Sequence, residues 1–149
     1  MFWTFKTAAT FTIIALLLAG MVACTAEPVP KLIILDAWTR PAATGIGTGA
    51  IYLTLVNEGN AADALVSASS DAAETAGLHE TQMKEGIMSM IPVSRLEVPM
   101  GGRIELKPGG LHLMLMGLKQ DLNPGDTVNV TLRFEKSDEI TAEVEVRQP

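Results

Sequence analysis

The sequence of 149 residues contains a single cysteine, Cys24. No intramolecular disulfide can form, and a thiolate-rich zinc site or an iron–sulfur cluster is excluded. Aromatic residues make up only 5 %, the net charge is −6, and no basic cluster occurs anywhere along the chain. Phosphate backbones need a basic surface and unpaired bases need aromatic platforms, so nucleic acid is not an expected partner. Histidine occurs only twice, as His79 and His112. Two histidines are few for an open, redox-active copper enzyme, and an enzyme is not expected. An electron-transfer copper protein would add a cysteine ligand to two histidines, and Cys24 stands too close to the N-terminus to serve.

The chain has the length of one domain with a real core, and its N-terminus is set apart. Lys6 is the only charge in residues 1–24, and an apolar run covers residues 13–21. That run is short for a membrane span, which needs about 20 apolar residues, and fits the core of an export signal. It ends in Met21-Val22-Ala23-Cys24, which resembles a bacterial lipobox. The resemblance implies that residues 1–23 are a signal peptide and that Cys24 is lipidated. The alternative is an ordinary cleaved signal. Either way the protein is expected to be exported to the periplasm or cell envelope. Residues 24–31 read as a short tether, in which Pro28 and Pro30 disfavour regular structure. A membrane is then met only through the lipid.

Residues 32–149 read as a succession of short strands. Residues 33–39 and 50–56 are rich in β-branched, leucine and aromatic residues, and residues 57–60 (Asn-Glu-Gly-Asn) carry turn chemistry. Residues 65–68 are a shorter candidate, whereas residues 71–76 fit either a helical turn or a loop. Residues 77–83 and 87–93 flank a glycine turn at 84–86, as in a hairpin. Residues 95–98 and 103–106 flank another turn. Lys107-Pro108-Gly109-Gly110 matches a type II turn and leads into residues 111–118. Residues 127–134 and 140–146 alternate cleanly and form a last hairpin. The pattern predicts an all-β Greek-key sandwich or barrel of about eight or nine short antiparallel strands.

Six methionines lie beyond the leader, at positions 83, 88, 90, 100, 114 and 116, and both histidines fall in the same stretch. Thioethers and imidazoles gathered together suit a soft ion such as Cu(I). Side chains alternate faces along a strand. In residues 111–116 the three leucines share one face, and His112, Met114 and Met116 share the other. The leucines are the expected core, so the His/Met face should look towards a loop, an edge or solvent. Ligands at i and i+2 have Cα atoms roughly 6–7 Å apart, which makes His112 and Met114 a natural pair. His79 and Met90 are the expected second pair. Met83, Met88 and Met116 are possible auxiliary ligands or shields, and Met100, beside Gly101-Gly102, is expected to be loop packing. Trp38 and Arg40 are expected to be structural.

These residues resemble the PCu(A)C family of periplasmic copper chaperones. That family carries a histidine, ten residues, a methionine, twenty-one residues, then His-x-Met. Here the positions are filled by His79, Met90, His112 and Met114. Chance would fill the last three on the order of 10⁻⁵ of the time at ordinary residue usage. The resemblance extends to Asp36-Ala37-Trp38-Thr39-Arg40, to residues 52–57, and to residues 108–118. Glu80 departs from the apolar residue or asparagine common after the first histidine. The His/Met-rich C-terminal tail of some members has no counterpart in residues 145–149. The resemblance implies a cupredoxin-like barrel that binds Cu(I) through His79, Met90, His112 and Met114 and passes it on. The implied recipient is the copper subunit of cytochrome c oxidase, directly or through another assembly chaperone. A copper-storage or tolerance protein with the same site is the alternative.

Overall fold

The computed structural model describes residues 27–148; the signal, Cys24 and the first part of the tether lie outside the described residues. Ten strands occur in them: β1 (Leu32–Thr39), β2 (Thr48–Asn57), β3 (Asp63–Ser70), β4 (Ala73–Lys84), β5 (Ile87–Pro92), β6 (Leu96–Val98), β7 (Arg103–Leu106), β8 (Leu111–Leu118), β9 (Thr127–Phe134) and β10 (Ile140–Val146). The only helical element among the described residues is a 3-10 turn, Thr44–Ile46. The candidate segments are all strands, which makes ten where about eight or nine were expected. The ambiguous residues 71–76 resolve into a two-residue turn followed by the start of β4.

The strands run β5-β4-β8-β2-β1-β10-β9-β3-β6, with β7 added on β2. A further pairing of β3 with β4 through Ala68 and Ala76 closes the sheet into a barrel. All pairings are antiparallel except that of β1 with β10. Just before that pairing begins, β1 carries a bulge: its register with β2 shifts between Leu35 and Trp38, where Asp36 adopts a φ of 50°. Arg147 donates from Nη2 to Asp36 Oδ1 at 2.8 Å and secures the kink. The first half of β1 thus pairs with β2 and the second half lies also beside β10.

Alternation supplies the core. Leu113 and Leu115 of β8, Ile51 and Leu55 of β2, Val130 of β9 and Val144 of β10 are fully buried. At about 1.5–3 kcal/mol per fully buried aliphatic side chain, this layer is the main source of stability. Two buried polar groups tie the loops to it. Asn57 accepts from Lys31 N and Gly59 N and donates to Ala61 O and Val98 O, so its amide is fully paired. Asp63 accepts three backbone amides, those of Ala64, Lys136 and Ser137, at 2.7, 2.9 and 2.8 Å. Burial acts to raise this carboxyl, but the three amides that donate to it outweigh burial and hold the group below the ordinary aspartate value.

Beyond the barrel, β4 runs on and folds back as β5. The turn at residues 85–86 uses positive φ at Glu85 (54°) and Gly86 (79°), as two-residue hairpins require. Strand β5 is the free edge of the sheet, and every residue in it is exposed. Pro92, which lacks a donor, ends it, as suits an edge strand.

Candidate metal centre

Three neighbouring strands bring the four motif residues onto one outer face. In the β4–β8 register His79 stands directly opposite His112, and Gly77 opposite Met114. In the β4–β5 register Thr81 stands opposite Met90, and His79 opposite Pro92. Residues paired across a sheet, and those two apart along a strand, share a face. His79, His112, Met90 and Met114 therefore project from the same side, while Leu78, Leu113 and Leu115 project into the core. The imidazole rings lie 6.2 Å apart between centroids, with 25° between their planes.

Each histidine is oriented by its own backbone. His79 Nδ1 is 3.1 Å from Gly77 O, and His112 Nδ1 is 3.1 Å from Gly110 O. A carbonyl oxygen only accepts, so in the neutral form of each ring Nδ1 carries the proton and Nε2 keeps its lone pair. This is the tautomer that metal-ligating histidines commonly hold through an outer carbonyl. Gly77 has a second part in the arrangement. A Cβ built there would stand 3.6 Å from His79 Cε1, so the ring lies over a position that has no side chain. Directly across, Met114 faces the same bare position.

His112, Met90 and Met114 line one hollow of about 270 Å³, together with Tyr52, Ala50 and Arg40. His79 lines a separate, mostly apolar hollow of about 330 Å³ with Leu65, Pro92 and Val93. The two facing imidazoles thus line one hollow each, and only His112 shares its hollow with Met90 and Met114. Met90 is 52 % exposed, whereas His112 is only 3 % exposed. The His/Met face of β8 does look away from the leucine core, but towards a loop rather than towards water. Residues 40–48 cover it, held by the Ala42–Leu122 bridge and by Thr44, whose amide and hydroxyl both donate to Asp121 Oδ1. Arg40, expected to be structural, is among the residues that line the hollow. Tyr52 was not singled out for the site; its place follows from alternation, because it lies two residues from Ala50, which pairs with Met114.

The remaining methionines separate clearly. Met83 and Met88 face each other across the β4–β5 hairpin, on the site's face but farther towards the tip. Met116 lies beyond Met114, opposite Thr75 and Thr48, and does not line the hollow. Met100 is 62 % exposed in the turn after β6, outside the three strands that carry the site. Glu80 projects from the opposite face, where it accepts a hydrogen bond from Gln82. Among the described residues no group of three or more His, Cys, Asp or Glu side chains gathers as for a metal ion. The donor set here is two imidazoles and thioethers, which favours a soft monovalent ion over a hard divalent one.

A closed all-β barrel of cupredoxin type, with paired histidines and methionines on one outer face, defines the class of protein. Residues 32–146 match the family model described as "Putative lipoprotein LpqE-like", and the chain belongs to this family of PCu(A)C-type domains. It is 41 % identical over 111 residues to "Putative lipoprotein Lxx21020" of Leifsonia xyli subsp. xyli (strain CTCB07), covering 74 % of this chain. The match spans 64 % of that relative's length, less than two thirds. The Cu(I) form of DR1885 from Deinococcus radiodurans, solved in solution, is 30 % identical with a TM-score of 0.60, covering 83 % of each chain. The copper-bound PCuAC domain of PmoF2 has the same fold: TM-score 0.67 at 24 % identity, covering 80 % of this chain and 94 % of that one.

Proposed function

We propose that this chain is an exported copper chaperone that binds Cu(I) through His79, Met90, His112 and Met114 and delivers it to a partner protein. The observation that carries the proposal is the facing pair His79 and His112, each with Nδ1 engaged by a carbonyl and Nε2 free. Met90 and Met114 on the same face add the thioethers. The 30 % identity to a domain solved as its Cu(I) form supports copper in that oxidation state.

The chemistry suits a carrier. Two neutral imidazoles and two neutral thioethers leave the ion's charge uncompensated, so binding is reversible by ligand exchange. Methionine is a suitable sulfur ligand in an oxidising compartment, where a thiolate would be at risk of disulfide formation. Met90, exposed at the sheet edge, is the ligand that a partner's donor reaches first; His112, buried beneath residues 40–48, is the last to release. No reaction is assigned to the site. The copper centre of cytochrome c oxidase, or another assembly chaperone, is the proposed recipient. The family description and the relative's name support anchorage in the envelope through a lipid on Cys24.

The test is anaerobic loading with Cu(I) against a colorimetric chelator, followed by mixing with the apo copper domain of an oxidase. Uptake followed by transfer is the expected result. Uptake without transfer to any such acceptor would mark a storage or tolerance protein, and no uptake would end the copper reading.

A further inference from the structure

The β4–β5 hairpin exposes apolar surface that the four-ligand site does not use. Met83 is 65 % exposed and Met88 60 % exposed. They stand directly opposite each other, and the next rung towards the barrel on this face is Thr81 with Met90, followed by His79 with Pro92. Cross-strand neighbours of this kind have Cβ atoms about 4.5–5.5 Å apart, and Met88 and Met90 are separated by one residue on one strand. Three flexible thioethers are thus within reach of one ion, and Met90 is also within reach of the histidine site. Along the paired strands the only other donor on this face is the Thr81 hydroxyl; the nearest carboxylate, Glu85, belongs to the turn. Lys84 is out of phase with Met83, and Glu80 and Gln82 bond each other on the other side. Core packing does not explain the trio, since methionine is among the residues most often buried and each of these is more than half exposed.

We propose that Met83, Met88 and Met90 form a second, weaker Cu(I) site at the hairpin, which shares Met90 with the histidine site. Cu(I) taken up at the tip passes inward by ligand exchange. The bonds to Met83 and Met88 sulfur break as those to His79 and His112 Nε2 and to Met114 sulfur form, Met90 stays attached, and the ion remains Cu(I) throughout. The all-thioether shell, with no anionic donor, excludes hard divalent ions. The proposal rests on the four-ligand reading of the histidine site and extends it to how cargo enters and leaves.

Titration of the chain, labelled with ¹³C at the methionine methyl groups, with Ag(I) as the redox-inert probe separates the two sites. The Met90 and Met114 signals are expected to move with the first equivalent, and those of Met83 and Met88 with the second. Met100, equally exposed but solitary, is an internal control and should stay in place. The Met83→Leu/Met88→Leu variant should lose the second equivalent, and because both residues are exposed the fold does not depend on them. Met83 and Met88 signals that stay fixed beyond the first equivalent, or that move only in step with Met100, would overturn the second site while leaving the first intact. Met90 and Met114 signals that ignore the first equivalent would instead overturn the histidine site. The His79→Ala/His112→Ala variant should still shift Met83, Met88 and Met90; absence of that shift also counts against the hairpin site.

Discussion

His79 and His112 are direct cross-strand partners on β4 and β8, with ring centroids 6.2 Å apart and each Nδ1 held 3.1 Å from the carbonyl two residues before it. Neither ring bonds the other. Each is fixed by its own strand, so both Nε2 atoms are available before any ion arrives, and little side-chain ordering remains to be done on binding.

Loss of either imidazole should therefore weaken Cu(I) binding without unfolding the barrel. His112→Ala and His79→Ala are each expected to lower the affinity at least tenfold, since loss of an outer-shell partner alone costs about 10–100-fold. His79 lies on the face away from Leu113 and Leu115, so its loss should shift the thermal midpoint by only a few degrees; His112 is buried, and its truncation leaves a cavity beneath residues 40–48 and should shift the midpoint further. Competition titration and thermal denaturation check the two halves of this expectation.

Gly77 leaves room for the His79 ring. Gly77→Ala should be tolerated, because its Cβ meets His79 Cε1 at an ordinary contact of 3.6 Å. Gly77→Leu should displace the ring from the Gly77 carbonyl and reduce Cu(I) affinity, with the β4–β8 pairing retained. The His79 imidazole proton resonances report the change of ring position directly.

Acid should release copper, because protons compete for the Nε2 lone pairs that would hold the ion. Chelator competition repeated between about pH 7.5 and pH 5 should show affinity falling with pH. An affinity that is flat across this range would count against histidine ligation.

Asp63 gives a pH dependence of a different kind. Its carboxyl is held below the ordinary aspartate value of about 3.9, despite burial, by the amides of Ala64, Ser137 and Lys136. A depressed value in the folded state stabilises the fold above the unfolded value, and that contribution is lost as pH falls through the folded value. Asp63→Asn should cost about 1–3 kcal/mol at neutral pH, and the gap to the unchanged protein should close in acid below about pH 4. Denaturant unfolding at several pH values measures this.

Most of the fold was legible in alternation and turn chemistry. The leucines of residues 111–116 identified the core face of β8, and glycine in the turn at 84–86 located the hairpin. The register was not legible. The spacing His79 to Met90 does not reveal that His79 pairs with Pro92 and that Met90 sits one rung outward, because that depends on which two residues form the turn. The burial of His112 was also hidden. It depends on residues 40–48, a glycine-rich stretch with no strand pattern, being held over the site by contacts with Leu122 and Asp121, some eighty residues away. Closure of the barrel by Ala68 and Ala76 rests on a single pair of small residues, and residues 71–76 carry too weak a pattern to foretell it.

The most direct measurement is X-ray absorption at the copper edge on the chain loaded anaerobically with one equivalent of Cu(I). Nitrogen and sulfur neighbours in equal number, with the nitrogen lost in the His79→Ala/His112→Ala variant, are the expected result. A first shell of sulfur alone, or of nitrogen and oxygen without sulfur, would contradict the assignment of His79, Met90, His112 and Met114 as the copper ligands.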